Sequence, residues 1–442
     1  MTKVAPISRL LAIGASTAAL ALTACSPGSA QDDRTAHYTI ERVTFVMRHG
    51  IRPPTKEPAI PKGYAADPWP EWPVEAGLLT PRGAKGVGLL GAADRARYVE
   101  AGLLPATGCP APGAIAAQAS YKQRAYATGE AFLAQFAPGC SIAVVHPAVE
   151  KGDVLFHPLD AGLDDFDGHL AYTQALALAP SGRIAAEAMA DGDLIALLQG
   201  VLDCCSTPRC REEGEAAGCT LADIPTALEE KKDGRPDLTG PLDIGSTASQ
   251  TFLLEYLEGM PMEKVGWGRV TRDQIETLLR FHPIKFRYEN GPDYLNAVAG
   301  GPLMRRIVEA LEAGPEAPRF VLFFGHDTNL ADLGALLDVD WRVASYPAGD
   351  IPPGGALGFE LVRDGAGKRY VRTFFRAQTM DQLRNQVPLD GSEQPFRQEI
   401  GIPGCTGPTD APKLCPLGRF EAIVAAKLAA GSADEKTTNA EG

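Results

Sequence analysis

The stretch "YTIERVTFVMRHGIRPPTK", residues 38–56, joins a clear strand signal to a loop that contains three cations and a histidine. Its first ten residues alternate between polar and apolar side chains and then become continuously apolar, as an interior strand does. Arg48, His49, Arg52 and Lys56 follow within nine positions. Because like charges this close repel one another, the loop favours an anion lying among them. The stretch therefore predicts a buried strand that ends in an anion-binding loop.

Further apolar runs alternate with segments of helical spacing. The strand-like runs are 114–120, 141–147 and 319–325, and the helical segments are 80–103, 123–136 and 301–314. This alternation predicts an α/β fold, a parallel sheet with helices on both faces. Residues 356–378 instead predict a late hairpin, with "DGAG" as its turn.

The middle of the chain differs in character, since it contains long helical patterns and few strand runs. A chain of 442 residues also exceeds one ordinary core. We therefore predict an α/β domain formed by 35–158 and 291–432, interrupted by an inserted, mostly helical domain at 159–290. The polar tail at 433–442 is expected to be disordered.

The N-terminus carries an export signal at residues 1–24, in which Lys3 and Arg9 precede an apolar stretch. "LTAC" at its end is typical of lipoprotein processing, with Cys25 as the lipid anchor. The alternative is ordinary signal cleavage after Ala30. Both hypotheses place the protein outside the cytoplasm, in the periplasm, either soluble or anchored to the outer membrane.

The cysteine count fits an oxidising compartment, since eight of the nine cysteines remain once Cys25 is set aside. We predict disulfides Cys109–Cys140 and Cys405–Cys415. The other four cysteines crowd into one segment, and their pairing stays open: Cys204, Cys205, Cys210 and Cys219. A zinc site is the alternative for that segment, although its spacing is not a standard one.

The formal charge of −13 argues against a nucleic-acid partner, because binding to a phosphate backbone needs a basic face. The cations around His49 are a local exception in an acidic protein, which makes them more informative.

A second loop, "GHDTNL" at 325–330, follows the apolar run at 319–324. Ligands of open α/β sheets bind beyond the carboxyl ends of the strands, so the two loops can form one site. Arginines at Arg48 and Arg52 can hold a phosphoryl group. His49, kept neutral by these cations, can attack phosphorus and form a phosphohistidine, and Asp327 can protonate the leaving alcohol.

Simpler interpretations exist for each motif alone. An Arg-His-Gly triplet occurs by chance, and Arg52 before two prolines fits a rigid solvated loop. The functional interpretation is favoured because the pattern RHGxRxP is specified at five positions and both motifs follow apolar strands.

The chain resembles the histidine acid phosphatases, in particular their bacterial periplasmic phytase and glucose-1-phosphatase branch. "RHGIRPPTK" and the distant "GHDTNLADLG" carry the resemblance, and further similar stretches are "WPVEAGLLTPRG", "TGEAFLAQFAPGC", "FLLEYLEGMP", "GWGRV" and "PPGGALGFEL". The resemblance implies an α/β domain like that of phosphoglycerate mutase with a helical insertion, no metal or organic cofactor, and small phosphate esters as substrates. We expect a monomer.

The resemblance also assigns roles to residues. It implies His49 as nucleophile and Asp327 as proton donor. Phosphate would be held by Arg48, Arg52, His326 and a third arginine, Arg124, and other parts of the substrate by Thr55, Lys56, His282 and Thr328. Composition alone does not select Arg124 over Arg82 or Arg95.

The chain departs from the phytase pattern in several places. Lys122 stands where phytases have an aspartate, and Ala125 stands where threonine is usual. Thr247 and Gln250 replace a methionine and a glutamate, and Ala299 replaces a basic residue. The pocket for phytate, inositol hexakisphosphate, is therefore only partly reproduced.

The sequence predicts an exported acid phosphomonoesterase with phytate as the first substrate hypothesis. The alternative is a glucose-1-phosphatase or a broad-specificity phosphatase. A cytoplasmic mutase is disfavoured by the export signal. A non-catalytic phosphate-binding lipoprotein would need neither His49 nor Asp327.

Overall fold

An eight-stranded mixed sheet lies at the centre of the protein. The computed structural model describes residues 38–162, 166–204, 220–429 and 431. The strands are β1 Thr39–Arg48, β2 Ile115–Ala119, β3 Val144–Val145, β4 Ala227–Glu230, β5 Pro236–Thr239, β6 Phe320–Gly325, β7 Ala356–Arg363, β8 Arg369–Ala377, β9 Phe396–Ile400 and β10 Cys415–Pro416.

Helices cover the sheet and make up most of the middle of the chain. The α-helices are α1 Pro81–Glu100, α2 Gln123–Phe136, α3 Gly168–Ala177, α4 Ile184–Ala190, α5 Gly192–Leu202, α6 Pro241–Leu257, α7 Arg272–Leu278, α8 Phe281–Glu289, α9 Asp293–Ala299, α10 Gly301–Glu312, α11 Asp327–Leu336, α12 Met380–Asn385 and α13 Leu417–Ala429. Short 3-10 helices lie at Glu150–Gly152, Pro180–Gly182, Leu221–Asp223 and Val265–Gly268.

The strand order is β10-β8-β7-β1-β6-β2-β3, with β9 paired to β8. Strands β1, β6, β2 and β3 are parallel to one another, whereas β7 runs antiparallel to β1 and the following strands continue antiparallel. The α/β prediction is confirmed, but a parallel sheet describes only half of it. The predicted hairpin joins the same sheet as β7 and β8, and a tight turn forces its strands to be antiparallel.

Strand β1 occupies the middle of the sheet, between β6 and β7. This position explains its continuous apolar run, because residues 43–47 are buried on both faces. In the parallel register, Arg48 lies opposite Gly325, so the loops after β1 and β6 begin side by side.

The loop after β1 is held against the first turn of α1. The Thr80 side chain caps this helix by accepting from the Gly83 amide at 2.9 Å. A Cβ atom at Gly83 would lie 2.4 Å from the carbonyl oxygen of Ile51, so only glycine permits this approach. The packing fixes the path of the chain directly after His49.

The middle of the chain contains the predicted helices, α3 to α8, and also a two-stranded hairpin of β4 and β5 that the sequence did not predict. Its turn includes Asp233 and Gly234, a pair that favours hairpins. The inserted domain at 159–290 stays a prediction, because all described residues belong to one compact unit.

The predicted disulfides Cys109–Cys140 and Cys405–Cys415 are both present, and Cys204 lies buried just after α5. Cys205, Cys210 and Cys219 lie outside the described residues, as do the export signal, Cys25 and the tail at 433–442. None of the helices in the described part is long and apolar enough to cross a membrane.

Removing the disulfides should lower the free energy of unfolding unequally. They link positions 31 and 10 residues apart, respectively. Loop-closure entropy then gives about 4 kcal/mol for Cys109–Cys140 and about 3 kcal/mol for Cys405–Cys415. Urea unfolding of the two double Cys→Ser variants, each beside the wild type, measures the difference. A larger loss for the Cys405/Cys415 variant would contradict this order.

Candidate active site

The two predicted loops converge at the carboxyl ends of β1 and β6. The amide of Arg48 donates to the Gly355 carbonyl at 2.8 Å, and the amide of His49 donates to the Gly325 carbonyl at 3.0 Å. His326 is the N-cap of α11, whose first residue is Asp327. A helix N-terminus therefore adds its positive dipole end to the cations of the first loop.

His49 is buried, and its hydrogen bonds define its tautomer. Nδ1 lies 2.9 Å from the Gly50 carbonyl oxygen, which can only accept, so Nδ1 carries the proton. The Arg52 Nε–H lies 3.3 Å from Nε2 and donates to it. Burial, Arg52, Arg124, His326 and Arg48 together hold the pKa of His49 well below its usual value of 6.5. His49 is thus a neutral imidazole with its lone pair on Nε2.

Three arginines act on His49: Arg52 contacts Nε2, and Arg124 and Arg48 lie close enough to disfavour a positive charge on the ring. The Nη2 atom of Arg48 lies 2.8 Å from Asp327 Oδ2 and donates to Gln250 Oε1 at 2.9 Å, and Nη1 donates to the Ile351 carbonyl. Burial and the neighbouring Arg124 lower the pKa of Arg52 to about 9, and burial also lowers the pKa of Arg124. Crowded cations in a buried site indicate that an anion belongs among them.

Asp327 is ionised in this arrangement. Burial raises its pKa, but the adjacent Arg48, followed by His282, His49 and Arg52, outweighs burial and leaves the pKa well below its usual value. Its Oδ2 atom lies 3.8 Å from His282 Nε2. A carboxylate held this way needs a change in its surroundings before it can act as an acid.

His282 is oriented by a residue that the sequence did not reveal. Its Nδ1 donates to Oδ1 of the fully buried Asp350 at 2.7 Å, which turns Nε2 towards Asp327. Asp350 lies in an irregular segment without a motif, so only the tertiary structure identifies it.

His326 completes the anion site behind His49. Their ring centroids are 5.5 Å apart, and His326 Nε2 lies 3.1 Å from the Ser120 hydroxyl oxygen. Burial, Arg124 and His157 lower the pKa of His326 well below its usual value. Arg124, near the start of α2, thus lowers the pKa of both His49 and His326.

A cavity of about 1030 Å³ opens from this centre. Its lining includes Arg48, Arg52 and Asp327, and also Thr247 and Gln250 from α6. The four residues predicted to contact the rest of a substrate line it as well: Thr55, Lys56, His282 and Thr328. The structure therefore brings together the residues that the sequence pattern selected.

Two of the departures have definite positions. Lys122 lies 4.3 Å from the centre of the Tyr121 ring and 3.8 Å from Glu150 Oε1, and it is not among the described residues that line the large cavity. Lys122 therefore does not supply a cation to the wall of the large cavity in place of the basic residue that Ala299 replaces. Ala299 lines a separate cavity of about 210 Å³ that shares Thr328 with the large one.

In the described part of the chain, no group of three or more His, Cys, Asp or Glu side chains is arranged to hold a metal ion. The proposed zinc alternative at 204–219 lies outside that part, apart from Cys204.

Comparison with known proteins agrees with this geometry. The model of the histidine phosphatase superfamily, branch 2, matches residues 39–171 and 251–376. Phytase AppA of Escherichia coli K12 is 34% identical over 413 residues, covering 90% of this chain and 94% of the relative. Glucose-1-phosphatase of Salmonella typhimurium is 29% identical over 395 residues, covering 88% and 92%.

Solved structures show the same likeness. The Hafnia alvei phytase, in complex with tartrate and with myo-inositol hexakis sulphate, superposes with a TM-score of 0.81 at 34% identity, covering 89% of this chain and 98% of the phytase. The chain therefore belongs to the histidine phosphatase superfamily, branch 2. It is a phosphatase, similar to bacterial phytases and glucose-1-phosphatases, and the family prediction is confirmed.

Proposed function

We propose that this phosphatase hydrolyses phosphate monoesters through a phosphohistidine on His49, with Asp327 as the proton donor. The observation that carries the proposal is the neutral His49, whose Nε2 lone pair lies in a group of three arginines beside one carboxylate. Arg48, Arg52, Arg124 and His326 bind the phosphoryl oxygens.

The ion pair between Arg48 and Asp327 links substrate binding to the proton supply. When phosphoryl oxygens occupy the arginines, the positive field that keeps Asp327 ionised is neutralised, and its pKa rises. Asp327 then takes up a proton and transfers it to the leaving oxygen as His49 Nε2 bonds to phosphorus and the P–O bond breaks. In the second step Asp327 removes a proton from water, whose oxygen bonds to phosphorus as the bond between phosphorus and His49 Nε2 breaks, which releases inorganic phosphate and regenerates His49.

The state of His49 predicts activity well into the acid range. Attack needs the neutral ring, and the pKa of His49 lies well below 6.5. Lowering the pH through 6.5 therefore should not protonate the nucleophile, and kcat/KM should not fall there. The measurement is kcat/KM for nitrophenyl phosphate from acid to neutral pH, corrected for ionisation of the ester. A half-loss of activity near pH 6.5 would show that His49 titrates normally.

Phytate is the substrate that we propose first. A cavity of about 1030 Å³ is much larger than one phosphoryl group requires, and Lys56 lies at its wall, where it can meet a second phosphate. The likeness to phytases supports the same choice. Glucose 1-phosphate is the second candidate, because the 29% identical relative is a glucose-1-phosphatase. Side-by-side kcat/KM values for phytate, glucose 1-phosphate and nitrophenyl phosphate decide between them.

Lys56→Met should weaken the binding of phytate without affecting that of a simple ester. Losing one partly exposed charge contact costs on the order of 1 kcal/mol, roughly a fivefold increase in KM for phytate. Nitrophenyl phosphate has no second phosphate, so its KM should not change. Lys368→Met is the matched control, since Lys368 lies beside the β7–β8 turn, at the opposite end of the sheet. Equal effects on both esters would remove Lys56 from substrate selection.

A non-catalytic phosphate-binding role is the remaining alternative. It would explain the arginines but not the proton donor or the fixed tautomer of His49. Release of nitrophenol from nitrophenyl phosphate at pH 5 separates the two, because a binding protein gives no turnover.

We also propose export, with a lipid anchor at Cys25 as one form of the mature protein. The N-terminal sequence and the disulfides Cys109–Cys140 and Cys405–Cys415 support an oxidising compartment. Fractionation of cells that produce wild type or Cys25→Ala distinguishes the anchored form from the soluble one.

A further inference from the structure

A line of buried polar side chains runs from His326 away from the phosphate site. His326 Nε2 lies 3.1 Å from Ser120 Oγ, and Ser120 Oγ lies 2.7 Å from Asp153 Oδ2. His157 Nδ1 lies 2.9 Å from the same carboxylate oxygen. Ser120, Asp153 and His326 are buried, and the His157 side chain is 19% exposed. These residues connect one proposed phosphate ligand to a second histidine.

The direction of each hydrogen bond in this line is determined. Asp153 Oδ2 accepts from Ser120 Oγ, from the Tyr121 amide at 3.2 Å and from His157 Nδ1. Burial raises the pKa of Asp153, but the hydrogen bonds from His157 and Ser120 outweigh burial and keep it below its usual value. Asp153 is therefore a carboxylate that can only accept, and the single Ser120 proton is committed to it.

The consequence reaches His326. Since the Ser120 proton points to Asp153, Ser120 Oγ must accept from His326, and His326 Nε2 must carry a proton. Only Nδ1 remains for a phosphoryl oxygen. A neutral ring with its proton on Nε2 offers a lone pair at Nδ1, which repels an anionic oxygen. His326 can donate to phosphate only as the imidazolium.

The charged groups around His326 explain when that form arises. Arg124, Arg52 and His157 oppose a positive charge on the ring, and Asp327 favours it. A phosphoryl group bound between the arginines neutralises the opposing cations. The Asp153 charge, transmitted through the Ser120 hydroxyl, then stabilises the imidazolium from behind.

We propose that Ser120, Asp153 and His157 are positioning residues that fix the orientation and proton of His326, so that this ring receives the phosphoryl group as an imidazolium. His157 holds Asp153 in place and packs on His326, with ring centroids 4.8 Å apart. It also lines the smaller cavity, beside Thr328. This inference rests on the proposed function, because it assigns His326 to the phosphate site.

Removing or keeping the hydroxyl group at position 120 tests the inference with little change in side-chain volume. Ser120→Ala breaks the line and leaves Nε2 of His326 without its acceptor, whereas Ser120→Thr keeps the hydroxyl. Ser249→Ala is the matched control, because Ser249 is equally buried and its hydroxyl donates to the Ser246 carbonyl inside α6. The full-length protein is used throughout.

The first measurement is the inhibition constant of inorganic phosphate against nitrophenyl phosphate turnover. Loss of a charge-assisted hydrogen bond should raise this constant roughly tenfold or more in Ser120→Ala. Ser120→Thr should restore it to near the wild-type value, and Ser249→Ala should not change it. Asp153→Asn should behave as Ser120→Ala does, because a neutral amide supports the imidazolium poorly.

The second measurement reports the proton directly. In phosphate-saturated protein labelled with ¹⁵N-histidine, both ring nitrogens of His326 should show imidazolium shifts in wild type and Ser120→Thr. The resonances are assigned by their absence in His326→Gln. In Ser120→Ala at the same pH, Nδ1 should move towards the neutral shift, which a purely structural role of Ser120 would not cause.

The outcomes separate this inference from the proposed function. If wild type neither binds phosphate nor turns over the ester, both fail. If wild type does both, while Ser120→Ala matches Ser249→Ala in inhibition constant and ¹⁵N shifts, only the positioning role is wrong. Any folding failure of Asp153→Asn leaves the Ser120 comparison decisive.

Discussion

His49→Ala is expected to lower kcat for every phosphate monoester by roughly 10⁶-fold, the scale seen when a covalent nucleophile is removed. Arg52, which contacts His49 Nε2, and Arg48 cannot replace it, since both are cations without a lone pair to donate. Although it lies in a loop, His49 is only 1% exposed, so the change to alanine removes a buried ring. His49→Asn, which fills more of the space, should therefore accompany His49→Ala.

The measurement combines turnover with trapping of the intermediate. Wild type quenched in alkaline denaturant during hydrolysis of ³²P-labelled ester should carry label on the peptide that contains His49, and both variants should carry none. His146→Ala serves as a control, because His146 is exposed and stacks on Tyr126 outside the site. If His49→Ala retained a tenth of wild-type turnover, the phosphohistidine mechanism would be wrong.

Asp327→Asn should show a loss that depends on the leaving group. General acid catalysis contributes about 10²–10⁴-fold, so turnover of alkyl phosphates such as phytate should fall by that factor. Nitrophenolate leaves with little need of a proton, and its ester should lose much less. Steady-state kinetics on the two esters give the ratio.

A binding measurement separates chemistry from positioning at this residue. Asp327 Oδ2 is paired with Arg48 at 2.8 Å, so Asp327→Asn removes a negative charge that competes with phosphate for this arginine. Inorganic phosphate should therefore inhibit Asp327→Asn more strongly than wild type. Asp381→Asn, at an exposed position in α12, should leave kinetics and inhibition unchanged. Equal losses on both esters would limit Asp327 to a positioning role.

The sequence predicted those elements whose periodicity reflects burial. The helical segment at 123–136 is α2, and the apolar runs at 38–47 and 319–325 are β1 and β6, because neighbours on both sides of a central strand demand apolar side chains. The run at 141–147 shortens to Val144–Val145, since an edge strand has a partner on one side only. Hydropathy alone does not distinguish an edge strand from a central one.

The site was predictable to the extent that it lies on contiguous motifs. Arg48 ends β1, His49 follows it directly, and Asp327 lies two residues after β6, so a sequence pattern marks them. Asp350 and Asp153 lie alone in irregular segments, and their functions depend on side chains 68 and 33 positions away along the chain. Only the fold brings such pairs together, and neither hydrophobic periodicity nor motif spacing in the sequence predicts them.

The register that sets Arg48 opposite Gly325 has a consequence for how the enzyme opens and adapts. The residues proposed for the chemistry lie directly at the ends of the central strands β1 and β6. Local opening of these strands costs nearly the whole free energy of unfolding. Amide hydrogen exchange there should therefore be among the slowest in the protein. Lys56 and Thr55 lie on an exposed loop farther from the sheet, where local opening costs little free energy. The residues proposed to select the substrate and those proposed to carry out the chemistry thus lie in regions of different local stability. We therefore expect changes in the loop to alter which esters are accepted without loosening the reaction centre.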